Sequence, residues 1–481
     1  MLKKIIGGLF VTLFFLIGIV LINTFRFKSK QINVKAISYP AISSEVIDHL
    51  QRAVQIPTIS HTDTTLIDYT KLQDFQILLK QLYPLVATKL ESDTINGYSL
   101  LFKWEGKDLS SAPVLFMAHQ DVVPIENSDA WEEPPFAGIR KNGYLYGRGT
   151  LDDKLSVLGW LEAAELLLAK DFQPKRTTYF FFGHDEEIGG RGAQAAVRYF
   201  QDKNIRFEYV LDEGMVILSG MMPGVKEPVG LIGLAEKGYA SVELTASATG
   251  GHSSMPPPHS AIGLLAKTIN NLQENPMPQR LDGATWKMFE YMGPEMPFME
   301  KAVFANSWIT SGIIKNILSD GVATNATTRT TMAPTILQAG SKDNILPAEA
   351  KAVLNFRILP GDTKEEVMKY VQKHLASDKV SAAFLKGAKN PTPVSRTNTV
   401  GFNILQETIM EICPSCKVGP ALTIAGTDGG YFTAVTDNVY RFLPVLLQAD
   451  DLKRIHGSNE RINVKSYMEL IVFYMRMLEK T

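Results

Sequence analysis

Thr177-Thr178-Tyr179-Phe180-Phe181-Phe182-Gly183-His184-Asp185-Glu186-Glu187 joins an apolar, β-branched and aromatic run to a histidine and three acids. Its first half reads as a buried strand. Its second half is electrostatically awkward, because consecutive carboxylates repel one another unless cations or protons offset them. A solvated loop is the ordinary alternative. Two neighbouring stretches repeat the pattern. Pro113-Val114-Leu115-Phe116-Met117-Ala118 reads as a strand and runs into His119-Gln120-Asp121; Phe207-Glu208-Tyr209-Val210-Leu211 runs into Asp212-Glu213-Gly214. Helical spacing fills the gaps, over 154–169 and about 191–201. This order predicts an α/β fold with a mostly parallel sheet covered by helices. In such sheets ligands gather beyond the carboxyl ends of the strands.

Further along, the rhythm changes. Tyr239 to Thr245 and Ala352 to Ile358 alternate strictly, as half-buried antiparallel strands do. Helices are expected over about 259–274 and after Gly361-Asp362-Thr363, where Thr363 and Glu366 stand in capping-box register. With a last strand at 379–385, the plan is ferredoxin-like. From about 390 the α/β texture returns and ends in an amphipathic helix over 465–479. An α+β domain over 237–388 is therefore expected as an insertion between two parts of the α/β domain, 41–236 and 389–481.

Before the first part, Ile5 to Phe25 carries no charge, and Lys3, Lys4, Arg26, Lys28 and Lys30 flank it. Twenty-one helical residues span roughly 31 Å, enough to cross a bilayer. A cleaved signal peptide is the competing reading, but Asn23-Thr24-Phe25-Arg26 is not a small-residue cleavage site. Residues 5–25 are expected to be a membrane anchor and 26–40 a tether. Flanking charge is nearly balanced and does not fix orientation; an extracytoplasmic catalytic domain is the expectation.

The 481 residues are 45% hydrophobic and 21% charged with net charge −1. That excludes a broad field favouring nucleic acid, and with it a nuclease-like reading. The two cysteines, Cys413 and Cys416, lack the second pair a zinc ribbon needs. A local disulfide and idle thiols both remain open.

Single signals are weak. A lone His119 is more often structural; Asp152 and Asp153, after the turn Gly147-Arg148-Gly149-Thr150-Leu151, read equally as a helix cap. Their agreement is stronger. Strand ends at His119, Glu186-Glu187 and Asp212 converge with the Asp152 turn on one sheet edge, and His456 in Ile455-His456-Gly457-Ser458-Asn459-Glu460 is available to join. One or two imidazoles with several carboxylates suit two divalent ions, zinc above all.

These motifs, together with Gly250-Gly251-His252-Ser253-Ser254, resemble the dizinc metallopeptidase family of carboxypeptidase S, aminoacylase and N-fatty-acyl-amino-acid hydrolase, from about residue 40 to the end. The resemblance implies that Asp152 bridges two Zn2+ ions. It implies that His119 and Asp212 complete one site and Glu187 and His456 the other. Glu186 is the implied general base, acting on water acidified by zinc, and Asp121 orients His119. His252 is the implied oxyanion donor, carried by a lid domain over 237–388 that in relatives often reaches a second subunit, so a homodimer is among the implied states. Asn344, Arg357 and Gly426 are the implied grip on a substrate carboxylate. The expected substrate is a small peptide or an N-acyl amino acid. The chain departs from the pattern after Gly426-Thr427-Asp428, where relatives continue with a small and a basic residue and this chain has Gly429-Gly430-Tyr431. The rival reading is a catalytically silent, membrane-tethered binding protein for the same ligands.

Overall fold

Strands Val114–His119, Thr178–Gly183 and Val210–Asp212 are neighbouring parallel members of a ten-stranded sheet in the computed structural model of the protein. The structure describes residues 2–37, 39 and 42–481; the expected junction of tether and catalytic part at Pro40 and Ala41 lies outside them. Val439–Arg441 continues the sheet in parallel beside Val210–Asp212. Antiparallel strands Glu91–Ile95 and Ser99–Trp104 close one edge. Val229–Glu236 runs antiparallel to Val439–Arg441 and carries Lys417–Thr423 as a parallel partner. The sheet is mixed, and parallel in the middle where the acid-bearing strand ends lie.

The middle strands lack surface alternation because both of their faces are covered. Val114, Phe116, Phe180 and Phe182 pack in one core with helices Lys154–Leu168 and Val464–Glu479. There Trp160 stacks on Phe116 at 4.1 Å and on Tyr474 at 3.8 Å. Leu115, Met117, Phe181 and Val210 pack on the other face with Ala193, Val197 and Phe200 of helix Arg191–Asp202. Side chains that alternate between two cores leave the strand ends as the open rim.

A second, antiparallel sheet has the order Thr331–Ala339, Glu349–Ile358, Gly238–Ser247, Val380–Phe384. Helices Ala261–Glu274 and Lys364–Lys373 cover one face of it and share its separate core. Thr363 and Glu366 make both halves of the capping box. The chain crosses between sheets at Glu236-Lys237-Gly238. There the buried Lys237 ammonium donates to the carbonyls of Ala326 and Arg329 at 2.7 and 2.8 Å.

Between strands Gly238–Ser247 and Thr331–Ala339 lie four further helices, Gly283–Met292, Phe298–Ala305, Ser307–Asp320 and Val322–Thr328. The first buries Ala284, Tyr291 and Met292 in the main core. Helix Leu2–Arg26 is apolar and long enough to cross a membrane. The residues after it are held to the body. Lys30 pairs with Glu290 at 2.8 Å, and the Gln31 amide exchanges two hydrogen bonds with the Val418 backbone. Cys413 and Cys416 are joined in a disulfide.

Candidate metal centre

His119 ends its strand on the open rim, with its imidazole buried. Its Nε2 lies 2.8 Å from Asp152 Oδ1; its Nδ1 lies 3.0 Å from the Asp121 carbonyl and 3.4 Å from Asp121 Oδ1. The other oxygen of Asp152 lies 2.9 Å from His456 Nε2, and that nitrogen is 3.3 Å from Glu187 Oε1. One carboxylate thus stands between two imidazoles, with a second carboxylate alongside. Ligand atoms of His119, Asp152 and Glu187 lie within 4.8 Å of one another, as a shared ion requires.

Asp121 shapes this group without joining it. It accepts the Ser60 hydroxyl at 2.7 Å and the backbone N–H groups of Glu186 and Glu187 at 3.2 Å each. One buried carboxylate therefore fixes the imidazole of one candidate ligand and the turn that carries another. The three consecutive acids divide their labour. Asp185 accepts the N–H groups of Arg191 and Gly192 at 2.9 Å each and caps helix Arg191–Asp202, leaving Glu186 and Glu187 to the rim.

Burial pushes the Glu186 carboxyl well above its ordinary range; the charges of Asp428, Glu187 and Asp121 add to this and His119 opposes it. Burial also raises Asp152, but the hydrogen bonds from His119 and His456 outweigh it and hold that carboxylate ionised. His456 is held up to about 10, first by its bond to Asp152 and then by Glu187.

Asp212 ends the neighbouring strand, as expected, and its carboxylate accepts the N–H groups of Gly429 at 2.6 Å and Glu213 at 3.0 Å. Glu213, to which the sequence reading gave no role, stands among the acids. Burial raises its carboxyl well above the usual range, and the charges of Asp152, Asp212, Asp153 and Glu186 raise it further. Period-two alternation at a strand end sends adjacent acids to opposite sides, and a doublet in sequence does not say which faces the site.

Arg148 and Glu460 were also missed, although both lie inside motifs read from the sequence. Glu460 is fully buried. Its Oε1 accepts N–H groups from Gly149, Leu151 and Asp152 at 3.0, 2.7 and 3.2 Å, and its Oε2 accepts Arg148 Nη1 at 2.6 Å. Arg148 Nη2 donates to the His456 and Gly457 carbonyls at 3.1 Å each. This pair ties the turn that presents Asp152 to the turn that presents His456.

The remaining candidates lie elsewhere. His252 and Asn344 meet on the two-stranded ladder Gly251–His252 with Ile345–Leu346, where Ser253 N–H donates to the Asn344 carbonyl at 3.2 Å. His252 is exposed, and among the described residues no hydrogen bond links it to the metal group. Arg357 lies opposite Tyr239 in the small sheet, its guanidinium 5.1 Å from the ring centre. Lys389 bridges to Tyr239 from the other side and holds its ammonium 5.1 Å from the Tyr431 ring. Among the described residues neither cation forms an ion pair. A side chain at Gly426 would begin 3.4 Å from Lys389 Nζ.

The departure Gly429-Gly430 has a steric cause. A Cβ at Gly429 would stand 2.9 Å from Asp212 Oδ2, and one at Gly430 would stand 2.6 Å from Glu236 Oε2. The loop makes room for two buried carboxylates, and Lys389, from another part of the chain, brings a cation to it.

The profile of peptidase family M20/M25/M40 matches residues 115–480. The chain belongs to that family. It is 39% identical, over 97% of its own length and 92% of the relative's, to a probable carboxypeptidase S-like 2 of Dictyostelium discoideum. It is 38% identical, over 91% and 86%, to the N-fatty-acyl-amino acid synthase/hydrolase PM20D1 of Xenopus tropicalis. The M20 family metallo-carboxypeptidase Sso-CP2 of Sulfolobus solfataricus shares its fold at a TM-score of 0.66 and 20% identity, over 90% of this chain and 98% of that one. This M20 protein is a metal-dependent hydrolase of the carboxypeptidase S-like kind. Enzymes of the family use metal ions, typically zinc. The donor chemistry here fits: imidazole nitrogen lies on each side of a carboxylate, and several further carboxyls nearby are raised by burial and by one another's charge.

Proposed function

We propose that the chain hydrolyses an amide bond next to a free carboxylate, in a small peptide or an N-acyl amino acid. The observation that carries this reading is the Asp152 carboxylate lying between His119 and His456, with Glu187 beside it and Glu186 next in the chain. Two Zn2+ ions would be held by His119, Asp152, Asp212, Glu187 and His456, with Glu213 close by. When bound, they would acidify water and polarise the scissile carbonyl.

The protein's own groups do the rest. Glu186 takes a proton from water and returns it to the leaving nitrogen. Its raised carboxyl suits a group that must both accept a proton and give it back. Asp121 holds the His119 ring in one orientation. Arg357 and Lys389, which form no ion pair among the described residues, stand on either side of Tyr239 and suit a substrate carboxylate, with Gly426 leaving room beside them and Asn344 assisting. His252, exposed on the lid domain of residues 237–388, serves as oxyanion donor once the lid meets its own site or that of a second copy.

Helix Leu2–Arg26 anchors the enzyme in a membrane. The Cys413–Cys416 disulfide supports an extracytoplasmic catalytic domain, because such bonds persist in oxidising compartments. Glu186→Gln keeps the size of the side chain and removes the base. The variant should retain zinc by elemental analysis yet lose turnover of N-acyl amino acids and dipeptides by roughly 10²–10⁴-fold. Undiminished turnover would remove Glu186 from the chemistry.

A further inference from the structure

Outside the metal centre, the surface feature with no role so far is an apolar corner. Phe298, Met299, Trp308, Ile309, Ile313 and Ile317, on helices Phe298–Ala305 and Ser307–Asp320, are between 48% and 73% exposed. Ile309, Ile313 and Ile317 recur every four residues and form one stripe. A different side of the same helix buries Ile314 and Leu318 against Phe289 and Phe304. The helix therefore has two apolar sides, and the protein covers one. Apolar residues on soluble surfaces are normally scattered singly rather than gathered in a stripe.

The position of this corner says what covers the other side. Asn306, between the two helices, is buried against the N-terminal helix. Its Nδ2 lies 3.2 Å from the Val20 carbonyl and 3.3 Å from Thr24 Oγ1, and its Oδ1 accepts Asn23 Nδ2 at 3.0 Å. Phe25 packs on Phe298 at 6.0 Å. Val20 to Phe25 are the last turn and a half of the uncharged run. At 1.5 Å per residue, Val20 lies roughly 7.5 Å inside the point where that run ends. That is the depth at which interfacial helices bury their apolar faces, about 5–10 Å into the boundary between headgroups and acyl chains. The corner is also unable to swing away, because Phe27 seats against Gly293, Lys30 pairs with Glu290 and Gln31 bonds to Val418.

We infer that helices Phe298–Ala305 and Ser307–Asp320 form a membrane foot, seated in the surface of the same lipid bilayer that Leu2–Arg26 crosses. The inference rests on the anchor reading. The stripe of Ile309, Ile313 and Ile317, with Trp308, enters the acyl-chain boundary, so the catalytic body lies against the membrane instead of hanging from it. Substrates with a lipid chain then reach the enzyme from the bilayer surface.

The test uses the full chain in phosphatidylcholine nanodiscs, with bromine on the lipid acyl chains as one quencher and acrylamide in the water as another. The protein has five tryptophans, so the signal of Trp308 is read as the difference between the natural chain and Trp308→Phe. That difference should be lost to the bromines and spared by acrylamide. In a double variant, Ile313→Lys with Ile317→Lys, the bromine quenching should fall while turnover of a short-chain soluble substrate persists. Quenching by acrylamide alone overturns the inference, and so does protection from both quenchers, which would mean that a second copy covers the face. A chain that fails to enter the discs refutes the anchor reading itself, a result distinct from a chain that enters with Trp308 in water.

Discussion

Glu460 accepts four hydrogen bonds while fully buried, three from the backbone of Gly149, Leu151 and Asp152 and one from a buried guanidinium. Each half of this arrangement is costly alone. Arg148 would be a charge without a partner, and the Gly149–Asp152 turn would have donors without acceptors. Glu460→Ala should therefore lower unfolding stability by about 3–5 kcal/mol, as breaking a buried pair does. Glu460→Gln keeps one acceptor and the shape, and should fall between the two. Denaturant midpoints measure both. A Glu460→Ala midpoint equal to that of the parent would mean that the turn holds itself.

At the scale of elements, the capping box offers a clean test. Thr363 Oγ1 accepts the Glu366 N–H at 3.2 Å and Glu366 accepts the Thr363 N–H at 2.8 Å, on the exposed start of helix Lys364–Lys373. Thr363→Ala should cost about 1 kcal/mol and leave turnover unchanged; no loss of thermal stability would deny the cap its role. This helix was readable in the sequence because a cap is a local bargain between residues three apart. The buried strands were readable for a related reason: runs such as Val114–Ala118 have no polar position that could face water. The helices over 283–328 were not. Their apolar residues are divided between the main core, a small core around Phe289 and the open corner, so no single stripe announces them. The candidate metal motifs were legible as strand ends that carry acid. The partnership of Lys389 with the Gly426 loop was not, because it joins segments that only the packing of two sheets brings together. Nor could sequence assign Asp185 to a helix cap and its two neighbours to the rim, since three adjacent acids look alike until the backbone turns.

At the scale of the whole molecule, negative charge crowds together where the parallel strands end. Asp152, Asp153, Glu186, Glu187, Glu213 and Asp428 share one neighbourhood, and His119 and His456 are its imidazoles. Burial and mutual repulsion raise several of these carboxyls, which is the same as saying that the fold pushes against their ionised form. Divalent ions would relieve that push. They would bind the folded chain far better than an unfolded one, whose donors are scattered along the sequence from His119 to His456. Metal binding should thus stabilise the whole fold by mass action, by about 4 kcal/mol when free zinc exceeds its dissociation constant a thousandfold. Chelation should lower the melting temperature, and added zinc should restore it. Asp152→Asn, which weakens the one carboxylate shared by both imidazoles, should melt at nearly the same temperature with and without chelator. Calorimetry with and without a chelator reads all three. If the natural chain melts identically under both conditions, the acids are being balanced by protons alone, and the metal centre loses its physical basis.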